Sequence, residues 1–154
     1  MNEPSPPRRG LLPPALMLLA LVAMIGLHLV LPMATLLPGL WRWLGVLPIC
    51  AGLVLNVQAD GLFKRAGTTV KPFGSTTALV AEGPFSLSRN PMYLGMLLLL
   101  IGVAIGMGSV TPWVIVPIFV WRIRKDFILP EERKLRAAFG EEYEAYARRV
   151  RRWV

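Results

Sequence analysis

Two long stretches without a single charge, residues 11–41 and 92–121, constrain this chain more than any other feature. A bilayer core accepts helices of about 20 predominantly apolar residues, and within it every backbone N–H and C=O must be satisfied inside the helix. With 55% hydrophobic residues in 154, the chain reads as a single all-α integral membrane domain over 1–154, with no room for a large soluble domain. Arg8 and Arg9 precede the first run in the manner of a signal peptide. No small-residue cleavage site follows them, so a retained span is expected.

Counting against bilayer thickness predicts about four spans. The first covers residues 15–31 and ends at Pro32; the second runs from Trp41 or Trp43 to about Ala59, with the tryptophans as interfacial anchors and a kink expected at Pro48. Together they make an N-terminal pair over 1–63. A polar segment rich in Gly, Pro, Ser and Thr occupies 64–91, long enough that a compact fold must use it for something. In 92–129 the turn signal Gly106-Met107-Gly108-Ser109, then Pro112, divides the apolar run into a tight helical hairpin. Its second helix fits only if it continues to about Leu129, carrying Arg122, Arg124, Lys125 and Asp126 to the membrane edge, where Arg122 and Asp126 are spaced to pair.

After Pro130, the apolar positions Leu135, Phe139, Tyr143, Tyr146 and Val150 recur at helical spacing among charges. Residues 130–154 therefore read as an interfacial amphipathic C-terminal helix on the cytoplasmic side. Gly140 is a candidate interruption, and Arg151, Arg152 and Trp153 a terminal surface anchor.

The net charge of +8 is concentrated in alternate connections, with Arg42 as the exception. That is the positive-inside pattern, and it predicts an inner or cytoplasmic membrane protein with both termini in the cytoplasm and basic groups against anionic lipid. Nucleic acid is excluded as a partner because basic and aromatic residues do not interleave into a platform. Cys50, the single cysteine, excludes an internal disulfide and is expected to pack in the interior. His28 is the only histidine and has no ligand set around it, so no metal is expected, and a hydrogen bond within the helices is its predicted role.

Several motifs stand in order: Gly67-Thr68-Thr69-Val70, Leu79-Val80, Gly83-Pro84-Phe85, Arg89-Asn90-Pro91-Met92-Tyr93-Leu94-Gly95, Pro130-Glu131-Glu132, and Phe139-Gly140-Glu141-Glu142-Tyr143 with Tyr146. Across about residues 60–153 the chain resembles the isoprenylcysteine carboxyl methyltransferase family, a relative of the phospholipid methyltransferases, in a small bacterial-type form. The resemblance implies a membrane enzyme using S-adenosylmethionine, with 64–91 as its cytoplasmic cofactor loop. Carried over position by position, it implies that Thr77, Ala78, Leu79, Val80, Phe85, Asn90, Pro91, Met92, Tyr93 and Glu131 surround the cofactor. A carboxylate at a partly dry membrane edge suits a cationic ligand.

Two departures stand out. Asn90 replaces the histidine of the related Arg-His-Pro motif, and Phe127 stands where eukaryotic-type relatives place a substrate-facing arginine. Arg124 or Lys125 is then the candidate to meet an anionic acceptor, and Glu132 or Tyr93 to assist a neutral amine. Displacement at the methyl carbon of a sulfonium needs positioning more than acid-base machinery. The expected acceptor is a lipophilic small molecule, a lipid or a prenylated thiol derivative. Two other readings stay open at this point: a membrane reductase using a nicotinamide cofactor, and a non-catalytic membrane packing or partner protein.

Overall fold

The computed structural model describes residues 11–65, 79 and 81–154, and among these every regular element is helical. Helix α1, Pro13–Val30, starts on two prolines whose missing N–H groups would have been unsatisfied in the first turn anyway. A 3₁₀ segment, Gly39–Gly45, leads into α2, Val46–Arg65. Pro48 falls in the first turn of α2, where proline is tolerated, so it does not break the helix. A single short turn, α3 (Pro84–Leu87), precedes α4 (Pro91–Met107). Gly108 then takes the left-handed conformation (φ 72°) that closes α4, as the turn signal predicted.

From Thr111 the chain winds through a 3₁₀ turn (Thr111–Val114), α5 (Ile115–Ile123), a π turn (Arg124–Ile128) and α6 (Leu129–Arg149). No helix begins at Pro130, contrary to the expected boundary there. Ile128 and Leu129 are both helical, and the Leu129 N–H reaches back to Arg124 O, one residue further than in an α-helix. A proline ring collides with the carbonyl four residues before it, and a wide turn lodged just ahead of Pro130 relieves that collision without ending the helix. The real break is at Gly140 (φ 49°, ψ −120°), the predicted interruption, where the left-handed φ favours glycine.

Helix α4 is central, with α2 on one flank and α1 and α5 on the other. Its contact with α2 is a glycine seam. A Cβ on Gly52 would sit 2.5 Å from Gly95 O, and one on Gly102 2.5 Å from Gly45 O, so the two antiparallel backbones meet directly at two levels seven residues apart. Such close approach is how helices associate where lipid removes the hydrophobic drive. On the other flank Ala20 and Met24 of α1 pack with Tyr93, Met96, Leu100 and Ala104 of α4, and with Phe119, Ile123, Phe127 and Ile128.

Pro13–Val30 and Gly39–Leu62 are long and apolar enough to cross a membrane, and both are mostly uncovered by the rest of the protein. Val30, Leu40, Trp43 and Val57 are each more than 70% exposed, an arrangement suited to lipid rather than water. Pro91–Met107 is apolar but shorter. Cys50 stands exposed on α2, not in the interior: the buried positions described on α2 are Gly52 and Ala59. His28 Nδ1 and Ser109 Oγ are 2.7 Å apart, the hydrogen bond expected of that histidine.

Candidate functional site

The polar segment before α4 and the acidic pair of α6 come together at one end of the bundle. Adjacent helical residues point about 100° apart, so Glu131 and Glu132 diverge onto different partners. Glu131 Oε2 accepts a hydrogen bond from Tyr93 Oη at 3.2 Å, and Tyr93 in turn lies against Phe127, ring centroids 6.2 Å apart. Glu132 is buried, and both its oxygens are taken by Arg152, through Nε at 2.8 Å and Nη2 at 2.9 Å. Arg89 Nη1 adds a contact to Glu132 at 3.5 Å and donates to Tyr143 Oη at 3.2 Å.

The two carboxylates consequently differ in charge balance. Burial pushes the Glu131 carboxyl up from its ordinary range; the Tyr93 hydrogen bond and the Lys134 charge work against this, while the neighbouring Glu132 charge adds to it. Burial acts on Glu132 in the same direction, but the Arg152 hydrogen bond, with the charges of Arg89, Arg152 and Arg136, outweighs it and holds that carboxyl low. Among the described residues Glu131 forms no ion pair, whereas Glu132 forms two.

The apolar stripe of α6 has a protein partner. Tyr143, Tyr146 and Val150 are buried with Leu79, Ala81, Leu135, Phe139 and Ala147 around them, and Tyr146 Oη donates to Phe85 O at 2.7 Å. Burial pushes the Tyr146 hydroxyl up to about 12. Where an interfacial helix was expected to lay this face on lipid, it instead clamps the chain leading into α4. The supposed terminal anchor is also turned inward: Arg152 reaches Glu132, and Trp153 packs against the cluster containing Tyr93 and Phe127. Lipid-facing placement was inferred from the pairing of arginines with tryptophan alone, and the buried Glu132 carboxylate supplies a stronger attraction.

Of the residues the sequence pointed to, Phe85, Asn90, Pro91 and Tyr93 are buried and Leu79, Met92 and Glu131 half-buried, all within this assembly. Thr77, Ala78 and Val80 lie outside the described residues. Asn90 uses its amide to donate to Arg152 O at 3.0 Å, so it ties the segment to the chain's last turn. Arg124 and Lys125 are exposed on the π turn, Lys125 with its ammonium 5.0 Å from the Trp121 ring centre, and Arg122 pairs with Asp126 at 2.9 Å as its spacing suggested. Sequence reasoning named Arg89 only within a motif and Arg152 only as a surface anchor, and gave neither of them, nor Ser88, a place in the site. Little in the sequence marked them, since Glu132 already has Arg136 four residues on as a partner of its own helix.

The family model for phospholipid methyltransferases matches residues 40–142. The chain belongs to this family. Its match takes in the glycine seam, the 84–93 segment, the π turn and both glutamates, and the relationship expected from the motifs holds. A protein of Haemophilus influenzae named "Uncharacterized protein" is 40% identical over 63 residues, 41% of this chain and 100% of that protein. Protein-S-isoprenylcysteine O-methyltransferase B of Arabidopsis thaliana is 33% identical over 72 residues, 47% of this chain and 36% of the plant protein. The probable protein-S-isoprenylcysteine O-methyltransferase of Oryza sativa subsp. indica is 35% identical over the same length, covering 38% of it. The chain thus spans little more than a third of these plant relatives. No solved structure matches it. The family and the exposed apolar helices together make this a membrane protein.

Proposed function

We propose that the chain is a membrane methyltransferase that takes its methyl group from S-adenosylmethionine and passes it to a lipophilic acceptor. The observation that carries this reading is the divided acidic pair. Glu132 is neutralised from within, and Glu131, next to it, is held by a neutral phenol with no cation bound to it among the described residues. A partly dry carboxylate of this kind gains from a cationic ligand, which would return its proton affinity toward the ordinary range. The residues fit a cofactor that carries a sulfonium and an ammonium, with Glu131 as the group that holds the cation and Tyr93 as the group that orients Glu131. Bound there, S-adenosylmethionine supplies an activated methyl carbon to a nucleophile without a metal.

The chain's own contribution is positional. Phe85, Pro91 and the Tyr93–Phe127 pair make apolar walls, and Leu79 with Met92 adds half-buried apolar surface. Phe127, at the position where the family resemblance places a substrate arginine, gives an apolar face beside Tyr93. A lipophilic acceptor suits that face better than a strongly anionic one. A prenylcysteine carboxylate, the acceptor suggested by the plant relatives' names, would draw on Arg124 or Lys125 for its charge. We place the site and both chain ends on the cytoplasmic side, with α4 and the continuous helical run 111–129 as the third and fourth spans, on the distribution of basic residues.

Calorimetric titration of the purified protein with S-adenosylhomocysteine tests the cofactor, and transfer of labelled methyl into solvent-extractable material, from a panel of prenylcysteine analogues and amine-bearing phospholipids, tests the acceptor. Saturable binding with label in one class of acceptor is expected. Oxidation of a nicotinamide cofactor in place of methyl transfer would overturn the reading in favour of a reductase. Absence of binding by either cofactor would leave a packing or partner role.

A further inference from the structure

After α6 ends at Arg149 the backbone becomes extended at Val150 (φ −116°, ψ 129°) and returns alongside the entry to α4. The Arg89 N–H donates to Arg151 O at 3.0 Å. Ser88 Oγ and Asn90 Nδ2 both donate to Arg152 O, at 3.2 and 3.0 Å, and the Asn90 N–H closes the ring onto Ser88 Oγ at 3.1 Å. The Arg152 side chain meanwhile grips both oxygens of Glu132. One residue therefore joins the two halves of the site, holding the α4 entry by its carbonyl and the acidic pair by its guanidinium.

The guanidinium matters because of what Glu132 would do without it. Its remaining ion-pair partner among the described residues is Arg89, at 3.5 Å, with the Arg136 charge acting without a contact, for a carboxylate that is only 3% exposed. A buried acid left short of partners takes cations from its surroundings or a proton from solvent. A ligand's cation beside Glu131 would then be drawn toward Glu132 as well, in competition with the Lys134 and Arg136 charges that already act on the pair. A lysine cannot replace the arginine fully, since only the planar fork meets two carboxylate oxygens at once.

We propose that Arg152 is a positioning residue for the cofactor site: by saturating Glu132 it leaves Glu131 as the one carboxylate that receives the ligand's positive charge. This rests on the reading of the site as a binder of a cationic methyl donor. Among the described residues Arg152 makes no hydrogen bond or ion pair to Tyr93 or Glu131, so its effect passes through Glu132.

The test uses the full chain in detergent or lipid discs, with S-adenosylhomocysteine titrations, donor kinetics and thermal unfolding of the wild type, Arg152→Gln, Arg152→Lys, Glu132→Gln and the Glu132→Gln/Arg152→Gln double variant. The backbone ties survive in all of them, so the series reads the side chain. Arg152→Gln should weaken binding by about tenfold or more and raise KM for the donor more than it lowers kcat. Arg152→Lys should recover part of the loss. The double variant, with no unmatched buried charge, should bind within about threefold of wild type.

Wild-type affinity in Arg152→Gln, or a folded double variant as weak as the single one, overturns the proposal. If Arg152→Gln fails to fold, the double variant decides alone, near-native affinity upholding the proposal and lost affinity overturning it. A wild type that takes up no S-adenosylhomocysteine sinks the cofactor reading and this inference with it. Failure of the inference by itself shows as normal wild-type binding with an indifferent Arg152→Gln.

Discussion

The two ends of α4, about 25 Å apart along a helix of this length, are closed by opposite means. At its C-terminal end the 31–38 connection meets Gly108 and Val110 almost entirely through backbone: Leu36 and Leu37 N–H groups donate to Gly108 O, and the Val110 N–H donates to Ala34 O. The side chains that help are neutral or paired at once, His28 with Ser109 and Arg42 with Leu37 O. At its N-terminal end Arg89 and Arg152 gather around Glu132, with Tyr143 behind Arg89, while Tyr93 donates to Glu131, which has no ion pair among the described residues. Structure alone needs only the first kind of closure. Charge gathered at a membrane edge beyond what packing requires is the feature that the proposed function assigns to a ligand.

The comparison breaks most completely if the seam between the ends is opened. Gly52→Ala must displace backbone, because its Cβ would lie 2.5 Å from Gly95 O. A loss of about 3 kcal/mol is expected, seen as a large fall in unfolding temperature and in monodisperse yield, with both ends failing together. Next in size is Glu131→Gln, which should cut affinity for S-adenosylhomocysteine by about tenfold, about 1.4 kcal/mol, while the unfolding temperature stays near wild type; normal calorimetric affinity would remove Glu131 from the site.

Acid should separate the two glutamates as well. The Glu132 carboxyl is held below its ordinary value of 4.5, so its contribution to stability is full above that value and is lost as pH falls through its folded-state pKa. Unfolding temperatures measured on acidification should drop less steeply in Glu132→Gln. Glu131 is raised, so cation affinity should climb with pH as it ionises, and binding should release protons, detectable as buffer-dependent titration heats.

Smaller effects sharpen the contrast. Tyr146→Phe removes the bond to Phe85 O and should cost about 1 kcal/mol of stability with some loss of affinity. Ser109→Ala, at the other end, should cost about 0.6 kcal/mol in thermal unfolding and leave titrations unchanged.

Much of this was legible in the residues. The apolar runs located α1 and α4 closely and α2 only roughly, Val46–Arg65 against an expected end near Ala59, and glycine punctuation located the turns at Gly108 and Gly140, because φ above zero restricts residue choice sharply. The meeting of 84–93 with Glu131 and Glu132 was expected from the family resemblance, and Tyr93 and Arg89 now supply its contacts. The π turn was not legible: a proline reads as a helix start, and one extra residue in a turn leaves no mark on apolar periodicity. Arg152 was misplaced because a terminal arginine beside tryptophan has the same pattern whether it faces lipid or a buried acid 20 residues earlier. The seven-residue spacing of Gly45 with Gly52, and of Gly95 with Gly102, was present in the chain and would have indicated the seam.

The wide turn at Arg124–Ile128 acts as a phase shifter. It holds one more residue than the same length of ordinary helix would, and everything after it is rotated accordingly. Deleting the extra residue would restore ordinary winding with the glutamates in register, whereas winding all five residues as ordinary helix, with none removed, would swing both glutamates by roughly a quarter-turn about the axis. A change of winding alone, at the turn that also carries Phe127, would thereby take Glu131 from Tyr93 and Glu132 from Arg152.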